Sequence, residues 1–382
     1  MTQQNIQIAV PAMAEEEWEA LREPIMSGWL TQGGKVSTFE RNFADLHGAQ
    51  HAMAVTSATT GLHLALAGLD IGPGDEVIVP AFTWVSTANV VLYRGATPVF
   101  VDVDPVTYNI NVDAALAEVT DRTRAVLPVH LFGLCADVPA LRNNLPEHIH
   151  IVEDAACAAG AKLGNQFAGT LGTCGVFSFH PRKSITTGEG GMVTTMDSAL
   201  ADRLTILRNH GASVSEEARH HGPQPHILPD FDELGFNYRM TDLQAAVGVV
   251  QLKKLEGFIS ERSRQAARYR ELLADIDWLR LPDEPENGRH AWQAFVTYVD
   301  PAKAPMPRNE IMRVLNEQGI ATRPGTHAVH MLGYYQRHFG LRDSDFPAAE
   351  AANNNTMAIP LHNRLTDTDL ERISDALHDL AG

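Results

Sequence analysis

From about residue 50 to residue 195 the chain alternates between two patterns. Short apolar runs, rich in Val and Ile and not interleaved with polar residues, lie at His51–Val55, Glu76–Pro80, Pro98–Val103, Ala125–Val129, His148–Glu153, Gly175–Phe179 and Gly191–Thr195. Runs of this kind are strands covered on both faces, as in a parallel sheet. Between them fall stretches with helical spacing at Thr59–Gly68, Ser86–Arg94, Val138–Asn144 and Ser198–His210. A Pro-rich connection at His221–Pro229 precedes a long helical pattern from Thr241 to about Leu273. A second strand-bearing segment then starts at His290–Val299, followed by a helical Arg308–Gln318, a strand-like Gly319–Arg323 and a final helix over Asp367–Leu380. The pattern predicts an α/β fold. A large lobe with a mostly parallel seven-stranded sheet between helices would occupy residues 1–250, N-terminal segment included, and a small α+β lobe residues 251–382, with the boundary within or just after the long helix.

Composition narrows the partners. The 382 residues carry a formal charge of −17, a field that repels nucleic acid and anionic membrane surfaces. Any anionic substrate then needs local cations. The three cysteines, Cys135, Cys157 and Cys174, have no metal-ligand spacing and suggest no disulfide framework, which fits a reducing cytoplasm and a site without metal. The N-terminus lacks the pattern of a signal peptide, and no apolar run is long enough to span a bilayer.

In open parallel sheets ligands bind beyond the carboxyl ends of the strands, and there the sequence places its chemistry. After Val55 comes Thr56-Ser57-Ala58-Thr59-Thr60-Gly61, opening a helix. Free N–H groups and hydroxyls at a helix start bind phosphate, though a plain Ser/Thr cap has the same appearance. After Pro80 comes Ala81-Phe82-Thr83-Trp84, whose indole could stack on a flat ring or simply fill a rim. Asp154 ends the apolar run His148–Glu153, where a carboxylate is costly unless it is paired or caps a helix. The richest segment is Val176–Gly191: a strand ends, with Ser178 and His180 on one side by alternation, and Lys183 follows before a Thr/Gly-rich turn. A lone loop lysine is ordinarily a solvated residue. Held among an anion cup, a stacking ring and a carboxylate, it completes the set that pyridoxal 5′-phosphate requires.

These residues resemble the DegT/DnrJ/EryC1/StrS aminotransferases, fold-type I pyridoxal-phosphate enzymes that act on nucleotide-linked keto sugars. The likeness runs through Ser27–Gly33, Ser57–Gly61, Gly72–Trp84, Val152–Ala156, Phe177–Gly191 and Gly235–Asp242. It implies that Lys183 forms the internal aldimine, that Asp154 pairs with the pyridine nitrogen, that Trp84 stacks on the ring and that Thr59, Thr60 and Ser178 hold the phosphate. It further implies that Asn237 reaches the phosphate of a neighbouring subunit, and so a homodimer with shared sites. Where the family often has Gln or His near the cofactor's 3-hydroxyl, this chain has Cys157, a weaker hydrogen-bonding partner or a buried structural thiol.

By the same resemblance L-glutamate is the amino donor and the acceptor is a nucleotide-diphosphate keto sugar, aminated at C4 as in the branch that serves 4-amino-4-deoxy-L-arabinose and perosamine synthesis, for polysaccharide biosynthesis. Candidate substrate contacts are His180, Arg239, His327 and His330, with Arg182 and Arg323 as further local cations. Two alternatives stay open: transamination of a cyclitol ketone without a nucleotide, and a non-catalytic regulatory protein that keeps the fold.

Overall fold

The computed structural model of the chain describes residues 5–213 and 228–381. Its centre is a seven-stranded sheet of β1 (His51–Val55), β2 (Glu76–Pro80), β3 (Thr97–Val101), β4 (Thr123–Val126), β5 (His150–Asp154), β6 (Cys174–Ser178) and β7 (Gly191–Thr195), in the order β1-β7-β6-β5-β4-β2-β3. Strands β2 to β6 pair in parallel. β7 runs against both its neighbours. The reason is the connection: Phe179–Gly190 contains no helix, so the chain cannot cross over and doubles back instead. That reversal lays the Lys183 loop over the carboxyl edge of the sheet.

Both faces are covered. Alternation in β6 sends Phe177 into a core with Phe39, Phe43 and Phe179, and Val176 into the opposite core with Val55, Leu62 and Val193. On the first face α1 (Gly34–His47) packs against the long helix, and a Cβ at Gly248 would stand 2.7 Å from the Phe39 ring. On the second, α2 (Ala58–Gly68) lies close over β6: a Cβ at Gly61 would meet Val176 at 2.7 Å. Next along the chain come α3 (Ser86–Tyr93), α4 (Val138–Asn144), α5 (Ser198–Leu207) and α6 (Asp242–Leu272).

The C-terminal part builds an antiparallel sheet in the order β8 (Leu279–Arg280), β9 (Phe295–Val299), β11 (Thr356–Ile359), β10 (Arg323–Pro324). Helices α7 (Arg308–Glu317) and α8 (Asp367–His378) pack on it around Trp278, Phe295, Ile311 and Leu370. Residue 250 falls inside the single helix α6, and the N-terminal Ile6, drawn with the large lobe on sequence, joins the small core, exchanging backbone bonds with Gly319 and Ala321 at 2.8 and 2.9 Å. The stretch His221–Pro229, apart from its last two residues, lies outside the described residues. No helix among the described residues is long and apolar enough to cross a membrane.

Candidate active site

The strand β5 delivers Asp154. Its backbone N–H bonds Pro128 O at 2.9 Å, so the strand runs one residue beyond the apolar stretch and carries the carboxylate into the interior, 4% exposed. Oδ2 accepts from the Thr87 hydroxyl at 2.8 Å and Oδ1 from the Ala156 N–H at 3.2 Å. Burial pushes its pKa up; Thr87, the Ala156 amide and the charge of Lys183 oppose that rise. A carboxylate held so, with few donors, is a seat for a cation.

Lys183 supplies the amine. Its backbone N–H bonds His180 O at 2.9 Å, and its Nζ lies 3.1 Å from the Cys157 Sγ. The loop is anchored from two sides. Gln251 of α6 accepts from the Thr186 N–H at 3.3 Å and donates to Glu17, and Gln293 donates to Arg182 O at 2.9 Å. His180 accepts from the Arg182 N–H at 3.2 Å through Nδ1. Burial lowers the His180 pKa; Glu189 opposes, while Lys183, Arg182 and Arg323 lower it further. Arg323 in turn has Arg182 and Cys157 as its electrostatic neighbours rather than a carboxylate. Arg182, Lys183 and Arg323 thus bring positive charge together around His180 in an acidic protein.

Three strands meet at the anion cup. Val55, Gly191 and Ser178 stand in register across β1, β7 and β6. Gly191 leaves space that backbone occupies: a Cβ there would be 2.7 Å from Ser57 C and 2.8 Å from Ala58 N. Ser178 therefore borders the start of α2. In that turn the Thr60 hydroxyl accepts from the Ser57 N–H at 3.0 Å, donates to Ser57 O at 2.8 Å, and the Thr60 N–H caps on Ser57 Oγ at 3.2 Å. Thr60 thus shapes the helix start. The Thr59 hydroxyl makes no bond among the described residues, and the Ala58 and Thr59 N–H groups have no intrahelical partner.

Trp84 follows the two-residue strand Phe82–Thr83, which pairs with His327–Ala328. The indole is 55% exposed and meets the His327 ring edge to face, centroids 5.4 Å apart. Asn237 is exposed, and Arg239 pairs through its backbone with Val55, beside the cup. Arg239 Nη1 donates to Asn209 Oδ1 at 2.8 Å, while its buried Nε is left without a partner. The structure does not bring His330 to this cluster. That ring is fully buried, its Nε2 donates to Asp343 O at 3.0 Å, and it packs edge-on to Phe346. Only two residues separate His327 from His330, but the chain turns inward between them.

Sequence reasoning missed Thr83 and Thr87. Their hydroxyls lie 3.0 Å apart and link the ribbon to Asp154. Thr87 sits one turn after Trp84 in a helical pattern, a spacing that could have flagged it. It also missed Gln251, Gln293 and Arg262; the last, buried, holds Trp292 O at 3.0 Å where that residue adopts a φ of 47°.

An aldehyde-seeking amine, a buried acid, an anion cup with spare N–H groups and an exposed indole on one sheet edge fit pyridoxal 5′-phosphate: each donor matches one part of that molecule. The class is that of the pyridoxal-phosphate enzymes. The DegT/DnrJ/EryC1/StrS aminotransferase family matches residues 11–378, and the chain belongs to this family. It is 39% identical over 374 residues to the spore coat polysaccharide biosynthesis protein SpsC of Bacillus subtilis, with 97% of this chain and 96% of SpsC covered. DesI, solved in the presence of its TDP-sugar product, aligns with a TM-score of 0.88 at 32% identity over 99% of this chain and 93% of its own. A candidate sugar aminotransferase of Streptococcus pneumoniae, Spr1654 in its PLP form, aligns with a TM-score of 0.90 at 28% identity over 99% and 98%. The protein is a sugar aminotransferase dependent on pyridoxal phosphate.

Proposed function

We propose that the protein moves an amino group from L-glutamate to C4 of a nucleotide-diphosphate keto sugar, for polysaccharide synthesis in the cytoplasm. The observation that carries this reading is Lys183. Its amine bonds a thiol rather than a carboxylate, on a loop that overhangs the buried Asp154. When bound, pyridoxal phosphate supplies an electron sink and carries the amino group between the two substrates. Lys183 would hold the cofactor through Nζ, and its free amine would serve as the base that takes and returns a proton. Asp154 holds positive charge at the ring nitrogen. Thr59, Ser178 and the first N–H groups of α2 hold the phosphate, with Thr60 fixing the turn. Trp84 covers one ring face, and Cys157 stands where a stronger partner of the 3-hydroxyl would be.

Arg182 with Arg323, and separately Arg239 beside the cup, support an anionic acceptor, since the net field would repel one. DesI, with its TDP-sugar product, supports the same class. His180 and His327 line the approach. Asn237, exposed beside the cup, reaches the phosphate of a second copy, and the exposed side chains of Ile25, Met26, Leu228 and Leu234 supply apolar surface that a homodimer would bury.

The test is to load the protein with the pyridoxamine form of the cofactor and follow its absorbance with a panel of nucleotide keto sugars and one free cyclitol ketone. Return of the aldehyde-form band with a 4-keto nucleotide sugar supports the proposal. Return only with the cyclitol ketone, or with none, overturns it.

A further inference from the structure

We propose that Thr87, oriented by Thr83, is a positioning residue that keeps the Asp154 carboxylate ionised and aimed at the cofactor's ring nitrogen. This rests on the role proposed above for Asp154. The geometry is a directed chain of three buried groups. Thr87 Oγ1 lies 2.8 Å from Asp154 Oδ2, and Thr83 Oγ1 lies 3.0 Å from Thr87 Oγ1. Thr83 and Thr87 are fully buried and Asp154 nearly so.

A hydroxyl has one hydrogen, and an ionised carboxylate only accepts. The Thr87 hydrogen therefore points to Asp154, and its lone pair takes the hydrogen of Thr83. Both O–H dipoles run toward the carboxylate, and the chain strengthens as it polarises. A threonine within or directly after a helix commonly returns its hydroxyl to a backbone carbonyl one turn back, as the exposed Thr205 does to Ala201 O at 2.9 Å and Thr356, directly after a helix, to Ala352 O at 2.6 Å. Thr87, in the first turn of α3, spends its hydroxyl on a carboxylate 67 residues away.

The consequence lies in where a proton sits. Without the Thr87 donor, Oδ1 keeps the Ala156 amide at 3.2 Å and Oδ2 loses its partner. A carboxylate in so dry a place then competes for the proton of the ring nitrogen, and a ring nitrogen without its proton is a weaker electron sink. Thr83 also lies in the ribbon next to Trp84, in register with His327. One short segment thus sets both the stacking on the ring face and the charge at its nitrogen.

The experiment uses the holoenzyme loaded with pyridoxal phosphate labelled with ¹⁵N in the ring, read by NMR, together with the cofactor's dissociation rate. Thr87→Val keeps the shape and removes the donor. Its ¹⁵N signal should move toward the unprotonated pyridine value, and the cofactor should leave about tenfold faster, the size expected for one hydrogen bond to a charge. Thr87→Ser should restore both, and Thr83→Val should give a smaller shift of the same sign. A Thr87→Val signal unchanged while Asp154→Asn moves it overturns the inference and leaves the role of Asp154 standing. An Asp154→Asn signal that does not move removes that role, and the inference with it. Loss of thermal stability with no ¹⁵N shift also overturns it. If Thr87→Val does not fold, Thr83→Val decides: a shift supports the inference and its absence overturns it.

Discussion

Glu153 and Asp154 are neighbours on one strand, both buried, and they have opposite fates. Glu153 is saturated. It bonds His130 Nε2 at 2.7 Å, and the N–H groups of Gly169, Leu171 and Gly172 at 2.7, 2.8 and 2.6 Å. His130 in turn accepts from the Ala136 N–H at Nδ1, which leaves the Nε2 hydrogen for Glu153. Asp154 has two donors, and burial outweighs them. Alternation sends the two carboxylates to opposite faces of the sheet. One closes a loop; the other is left needing a charge. A buried acid with all its lone pairs satisfied is architecture, and one held short of satisfaction is a seat for a ligand.

Substitutions that exchange those fates give the largest effects. Glu153→Gln turns an acceptor of four bonds into a group that also donates, so buried N–H groups lose partners. Denaturant unfolding should show a loss of at least ~3 kcal/mol. Asp154→Asn should leave the apo protein as stable as the wild type or more so, yet weaken cofactor binding by roughly a hundredfold, the worth of a buried ion pair, measured by equilibrium dialysis. If both variants lose stability equally, the distinction between the two carboxylates fails.

Acid titration sharpens the same contrast. His47 is buried in its neutral form, donating to Phe43 O and accepting from the Gly160 N–H, and burial lowers its pKa to about 4. The unfolded chain binds this proton first. Stability from His47 is therefore complete above about pH 6.5 and falls as pH drops toward 4, by roughly 3 kcal/mol. His290, lowered to about 3 by burial, acts with the same sign. Asp154 acts oppositely: its raised pKa means the folded apo protein holds a proton the unfolded chain has lost, a contribution that disappears as pH rises. Unfolding curves of apo wild type and Asp154→Asn should converge in acid and separate at neutral pH, with the variant higher. Curves that separate in acid instead would contradict this.

The smallest effects lie at the ring face. Trp84→Ala should weaken cofactor binding by about three- to tenfold, as expected for one aromatic contact. His327→Ala, which removes only the edge that steadies the indole, should cost about twofold. A larger effect of His327→Ala than of Trp84→Ala would reverse the order of the two contacts.

Much of this was legible in the sequence because buried parallel strands announce themselves as unbroken Val/Ile runs, and the chemistry follows their ends. Lys183, Asp154, Trp84 and the Ser57–Gly61 turn were found that way. What escaped depends on long-range pairing. The reversal of β7 follows from the helix-free loop that precedes it, and the ribbon of Phe82–Thr83 with His327–Ala328 joins segments far apart in the chain. Thr87 reads as an ordinary helix residue until the fold places Asp154 beside it. His330 read as a neighbour of His327, but three-residue spacing on an irregular segment does not fix the side on which a ring lies.

One nitrogen, Lys183 Nζ, carries the chemistry proposed for this site. Incubation of the purified protein with pyridoxal phosphate, reduction with borohydride, digestion and mass spectrometry should place the reduced cofactor on the peptide containing Lys183, and Lys183→Ala should yield a folded protein with no label. Label on another lysine, or a Lys183→Ala protein that still takes up the cofactor covalently, would contradict it.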